Sequence, residues 1–301
     1  MMSDYLIWAA GILSLNLVLA VGAISTFRYL QGIISGVNTT TELSKKDNFA
    51  FGISFAGGAL ALALIIAAAV GGEPSASILT EGINVAVYAL LGILLLKLGM
   101  LVNDRLIFHR FSLKDQIDQQ NLSAGIVQGV NFVVLGIVIQ SSIKWVETES
   151  WDGLIPVALV FIAAQILLLI ITRLRASVYR RRHTGQRFQD ALREGNPALA
   201  IRYAGHILSM ALGVSASSHL VPYLQDAPWL SALYWFVVSL GVALLITMLA
   251  WLARQVILRG INIVEEVDNQ HNVGVAYIEA AIFVSIAIIL NPLMIIFDSI
   301  L

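Results

Sequence analysis

Asn48-Phe49-Ala50-Phe51-Gly52-Ile53-Ser54-Phe55-Ala56 opens a long apolar run, and its pattern returns three times along the chain. An Asn is followed by small residues two, four, eight and fifteen positions later. The copies are Asn48/Ala50/Gly52/Ala56/Ala63, Asn121/Ser123/Gly125/Gly129/Gly136, Asn196/Ala198/Ala200/Ala204/Ala211 and Asn272/Gly274/Ala276/Ala280/Ala287. The Asn residues are 73, 75 and 76 positions apart. So many small residues in register mark a repeat of one structural unit.

Composition places that unit in a membrane. The chain of 301 residues is 58% hydrophobic and 12% charged, about half the charge of a soluble domain. Apolar stretches fall at roughly 5–27, 49–70, 82–103, 122–143, 153–174, 197–219, 229–256 and 273–297. Each is long enough for a spanning helix of about 20 residues. A sheet with open edges would leave backbone polar groups unpaired in lipid, so the expected class is all-α integral membrane, with eight transmembrane helices. The first stretch has no basic leader and reads as a retained span.

Basic residues orient the spans. Arg28, Lys45 and Lys46, then Arg105, Arg110 and Lys114, then seven arginines from Arg173 to Arg193, then Arg254 and Arg259, follow spans one, three, five and seven. The other loops are acidic or neutral. The positive-inside rule puts both termini outside and the basic loops in the cytoplasm. The chain then reads as one membrane domain, 1–301, of four parallel two-helix repeats: 1–72, 73–148, 149–224 and 225–301.

Each Asn (Asn48, Asn121, Asn196, Asn272) follows an acidic-polar stretch and reads as the N-cap of an even-numbered helix. Pro197 after Asn196 suits a first helical position. Gly52 and Ala56, Gly125 and Gly129, Ala200 and Ala204, and Ala276 and Ala280 are small-xxx-small pairs, which let helices approach closely in lipid. The even helices should therefore pack tightly on one another about the repeat axis. Trp145, Trp151, Trp229 and Trp235 flank outer loops and read as interface anchors.

Ionisable groups within spans are costly and mark function. Glu279, Arg202 and Lys97 each lie about 10 Å below the cytoplasmic interface at 1.5 Å per residue. Gln128 shares their level, and Asn131 and His206 lie a turn deeper. These six form a candidate polar layer or ion path. Arg202 or Lys97 is the natural partner of Glu279, while Lys97 and Arg254 can snorkel to the interface. The first repeat carries Phe55 and Gly58 at this level and should be peripheral. The arginine-rich 173–195 loop, with Arg180, Arg181 and Arg182, suits anionic lipid or an acidic cytosolic protein. Nucleic acid is not expected.

The chain has no cysteine, and its five histidines are scattered. No metal-ligand spacing, phosphate loop or nucleophile motif occurs, so neither a cofactor, a metal nor an enzyme is expected.

The segments Asp47-Asn48-Phe49-Ala50-Phe51-Gly52-Ile53 and Asn272-Val273-Gly274-Val275-Ala276 resemble the YjfL-like bacterial inner-membrane proteins, a domain of unknown function (family three hundred and fifty). The resemblance implies a small helical membrane module used in tandem, in the bacterial inner membrane. It also implies a possible partner, a peripheral membrane-stress protein of the phage-shock type. It carries no catalytic residues. Two functions follow: a proton or small-cation channel or transporter through the polar layer, and a non-catalytic scaffold recruiting such a partner through basic loops.

Overall fold

The computed structural model describes all residues except 1, 72–76, 111, 147–152, 184 and 299–301. Among the described residues, eight helices are long and apolar enough to span a bilayer. They are α1 (Met2–Ser35), α3 (Phe49–Val70), α4 (Ile78–Val102), α6 (Leu122–Val146), α7 (Leu154–Arg182), α9 (Pro197–Ser217), α10 (Pro228–Ile257) and α11 (Val273–Asp298). Three one-turn helices, α2 (Thr39–Ser44), α5 (Leu113–Asp118) and α8 (Phe188–Arg193), lie in the linkers before α3, α6 and α9. A wider π turn, Val264–Asn269, takes that place before α11.

The junction into each even-numbered span is built alike. The residue before each Asn has positive φ: Asp47 at 47°, Gln120 at 64°, Gly195 at 86° and His271 at 56°. This left-handed residue reverses the chain, and the Asn side chain then accepts from the first turn of the helix. The donors are the Phe51, Ser123, Leu199 and Val275 backbone N–H groups, at 3.0, 3.0, 2.9 and 3.1 Å. The Asn amide has a second use. Asn48 Nδ2 donates to the Ile117 carbonyl, Asn121 Nδ2 to those of Leu192 and Arg193, and Asn196 Nδ2 to those of Val267 and Asp268. Each of these three caps therefore ties its helix to the linker of the next span pair.

The even-numbered spans form an open row, α3 on α6, α6 on α9 and α9 on α11, with α3 and α11 at its ends. They do not gather about a common axis. The odd-numbered spans flank the row: α1 and α4 lie on α3, α7 on α6, and α10 on α9 and α11. Contact between α3 and α6 is backbone to backbone. A Cβ on Gly125 would fall 2.5 Å from the Ala50 carbonyl oxygen, and one on Gly136 would fall 2.5 Å from the Ala61 Cα. Only residues without side-chain bulk allow this approach.

The open row also corrects the expected role of the small-xxx-small pairs. They do not pack pair against pair, because in α6 and α11 the pair lies on the side of its helix that meets the preceding even-numbered span. Gly125, Gly129 and Ala276 are buried there, and Ala200 is buried in α9. Ala204 and Ala280 are only half-buried, since a row, unlike a closed ring, leaves the edges of its seams uncovered. Ala280 does touch α9, but through Gly205, where an added Cβ would overlap the Ala280 Cα. Gly205, which lies next to Ala204 and outside the repeated pattern, is thus the small residue of α9 that meets α11. Gly52 is half-buried and Ala56 exposed, because α3 has no even-numbered span before it.

Two further expectations change. The arginines from Arg173 to Arg182 belong to α7 and not to a loop. Arginine is a good helix former, and nothing in the run breaks the helix before it leaves the apolar zone. Trp235 is 2% exposed, packs on Trp145 at 4.6 Å between ring centroids, and donates to the Val214 carbonyl. It is a core residue, whereas Trp229 is exposed. Trp151 lies outside the described residues.

Candidate functional site

Helices α9, α10 and α11 and the π turn bring a set of charges together near the Asn end of the bundle. Glu279, fully buried on α11, pairs with Arg202 Nε at 2.8 Å and with Arg254 Nη1 at 2.9 Å. Arg202 also reaches Asp268 in the π turn at 2.9 Å, so one guanidinium bridges two carboxylates. Asp268 meets His183 Nε2 at 3.0 Å on its other oxygen. His206 Nε2 stands 3.8 Å from Glu279, and the Nδ1 of the same ring is hydrogen-bonded to Arg175 on α7. The His206 ring also abuts Phe283 edge-on.

Arg175, Arg202, His206, Arg254, Asp268 and Phe283 border a pocket of about 350 Å³ between α7, α9 and α10. Its walls include Ile170, Leu174 and Val178 of α7 and Leu244 and Trp251 of α10, all of which are also exposed on the outer surface of the bundle. The pocket is thus a lateral groove, apolar along its length and charged at the Asn end. Among the described residues there, Arg175, Arg182, Arg202 and Arg254 stand against Asp268 and Glu279. The balance is positive. Arg175 forms no ion pair among the described residues, and the buried Nε atoms of Arg175 and Arg254 have no hydrogen-bond partner.

The polar residues expected at one level separate into two groups. Glu279, Arg202 and His206 meet. Asn131 reaches them only indirectly, accepting at 3.1 Å from the hydroxyl of Tyr203, which lines the groove. Gln128 is buried in α6 away from the groove, with no partner on Nε2. Lys97 is not the partner of Glu279; its ammonium sits 4.5 Å from the centroid of the Phe27 ring. Arg254 does not snorkel but turns inward to Glu279. Asp268 and Arg175 do not stand out in the sequence: one lies in an acidic linker, the other near the polar end of a span. Arg180 and Arg181 are exposed, and Arg182 borders the groove.

Counting from the Asn residues shows what is special about this half of the chain. Arg175 and Phe27 each lie 21 residues before an Asn, and His206 and Gly58 each lie ten after one. Arg202 matches Ser54, Glu279 matches Gln128, Asp268 matches Ile117, and Arg254 matches Asn103. In the first half the Phe27 ring packs against Gly58 and Phe132. In the second, the Arg175–His206 pair occupies the matching positions against Phe283. Every charged member of the cluster thus has a neutral counterpart about 150 residues earlier in the chain.

A family described only as a Domain of Unknown Function, DUF350, matches residues 5–143 and again residues 149–294. The chain belongs to the DUF350 family. The first match runs from α1 into α6 and the second from the start of α7 into α11, so the charged cluster of this DUF350 protein lies wholly within the second. No curated protein and no solved structure matches the chain.

Proposed function

We propose that this multi-pass membrane protein binds the acidic head of a lipid, or of a lipid-like amphiphile, in the groove between α7 and α10. The observation that carries the reading is the uncompensated guanidinium of Arg175 at the head of an apolar groove that opens sideways. A cation in a low-dielectric setting demands a counter-charge. The protein supplies two carboxylates for four arginines, and the unpartnered Nε–H groups of Arg175 and Arg254 can each donate to one more oxygen. Guanidinium groups pair with phosphate and carboxylate in a planar, two-pronged geometry. The apolar walls suit an acyl chain. On this reading it is a non-catalytic binder of anionic lipid in the bacterial inner membrane, the location that the family resemblance implies. The exposed Arg180 and Arg181 extend that basic surface toward a peripheral partner.

Trp251 in the groove wall is a natural reporter. Brominated phosphatidylglycerol should quench the fluorescence lost in Trp251→Phe several-fold more than brominated phosphatidylcholine does. A hydrogen bond to a charged group contributes about 1.5–3 kcal/mol. Arg175→Gln or Arg254→Gln should therefore each weaken binding of the anionic head about tenfold, enough to remove the several-fold preference. Equal quenching by the two lipids would sink the reading. Loss of quenching on adding soluble phosphate would place a free anion at the site instead of a lipid head.

A second reading rests on the 3.8 Å approach of His206 to Glu279, two titratable groups that could pass a proton. The excess of arginine opposes passage of any positive charge, which ranks this reading below lipid binding. Dye-detected proton flux in proteoliposomes that vanishes in Glu279→Gln would favour this reading.

A further inference from the structure

The row of even-numbered spans ends in two exposed faces that are the two halves of one interface. Between α6 and α3, the small residues four, eight and fifteen after one Asn meet the face two, five and thirteen after the preceding Asn. Gly125 meets Ala50, Gly129 meets Ile53 and Gly136 meets Ala61 between α6 and α3. Between α11 and α9, Val275 and Ala276 cluster with Ala198 and Ile201.

The first half of this interface is open on α3 and the second is open on α11. At the fifteenth position Gly136, Ala211 and Ala287 are buried, but Ala63 is exposed. At the thirteenth, Ala61, Val134 and Ser209 are buried, but Ser285 is exposed. At the second, Ala50, Ser123 and Ala198 are buried, but Gly274 is exposed. The amide of Asn272 repeats the imbalance. It donates to Glu266, the acid of its own linker, and among the described residues it meets no carbonyl of a following span pair, as the other three do. The linkers are also complementary in charge: Lys45 and Lys46 are exposed before α3, and Glu265 is exposed before α11.

We propose that copies of this chain join head to tail in the membrane, the α11 face of one against the α3 face of the next. The contact continues the internal row, places Ser285 of one copy beside Ala63 of its neighbour, and brings the Asn272 amide to the Ser44–Lys45 backbone. It is a heterologous contact, which builds a ring or a filament and not a two-fold dimer. It does not depend on what the groove binds.

The chain has no cysteine, so single ones report cleanly. Ala63→Cys and Ser285→Cys chains, carrying different tags, would be co-expressed and oxidised in native membranes. A covalent dimer containing both tags is expected, with little dimer from either chain alone. Same-tag dimers as the main product would overturn the proposal in favour of a two-fold contact. No dimer at all, with wild type a monomer by native mass spectrometry from nanodiscs, would overturn it in favour of lipid on both faces. Both substitutions replace exposed small residues, and wild-type mass needs no variant, so misfolding cannot imitate the expected result.

Discussion

Arg202 is the residue around which the charged cluster is organised. Its guanidinium holds Glu279 on α11 and Asp268 in the π turn, and so fixes a spanning helix to the linker that precedes it. A simpler charge at the other end of the row yields a pH prediction. Burial tends to raise the pKa of Glu42, but hydrogen bonds from Lys46 and Asn48 outweigh it and hold the carboxyl below its ordinary value of 4.5. A depressed pKa contributes stability that is present above the ordinary value and is lost as the pH falls through the lowered one. The melting temperature of wild type should therefore fall toward that of Glu42→Gln as the pH drops from neutral to below about 4. A constant gap between the two across that range would show that the carboxylate contributes nothing. Residues were legible in the sequence to the degree that their surroundings were apolar. Glu279 and Arg202 stand out inside runs of aliphatic side chains. Asp268, one acid among several in a linker, does not, because only the fold turns it inward. Arg254 misleads for a related reason: a long side chain near a span end can reach water, and here a buried carboxylate holds it instead.

Among the elements, the pair α3 and α6 sets the standard for the row. Their backbones touch at Gly125–Ala50 and Gly136–Ala61. A side chain added there must push two helices apart, and overpacking of this kind costs about 1–3 kcal/mol or more. Gly125→Leu should lower the melting temperature in detergent and also weaken the Asn48 to Ile117 tie. Faster protease cleavage in the 112–121 linker would report that loosening. An unchanged melting temperature would mean that the helices are not in contact there. The eight spans themselves were legible, because length and hydropathy are sufficient to place a helix in lipid. Spacing also marked which positions are small, but not what each one meets: Ala204 and Ala280 share a register, yet only Ala280 has a glycine of the neighbouring helix against it. Where a helix stops is less legible still. α7 runs on through Arg182 because arginine favours helix as much as it favours water, and hydropathy alone ends the span too soon.

For the whole molecule, the contrast between its halves is the main finding. One half packs Phe27 against Gly58; the other places Arg175 and His206 at the matching positions. Converting the second to the first is then a direct experiment. The double variant Arg175→Phe, His206→Gly should fold with a melting temperature near that of wild type, while the preference of Trp251 quenching for anionic lipid disappears. Retained preference would show that Arg202 and Arg254 are sufficient for it, and failure to fold would show that the halves are not interchangeable. The contrast can be counted from the Asn positions in the sequence, but the groove could not be, since it depends on which side chains α7 and α9 turn toward the gap between them.

The long reach of the Asn amides also bears on synthesis. Asn48, Asn121 and Asn196 find their carbonyl partners 69, 71 and 72 residues downstream. At about 5–20 residues per second, each helix start stays incompletely bonded for about 3–14 s after the ribosome has made it. The polypeptide is therefore assembled like a zip drawn from the N-terminus, in which every tooth is locked by the arrival of the next.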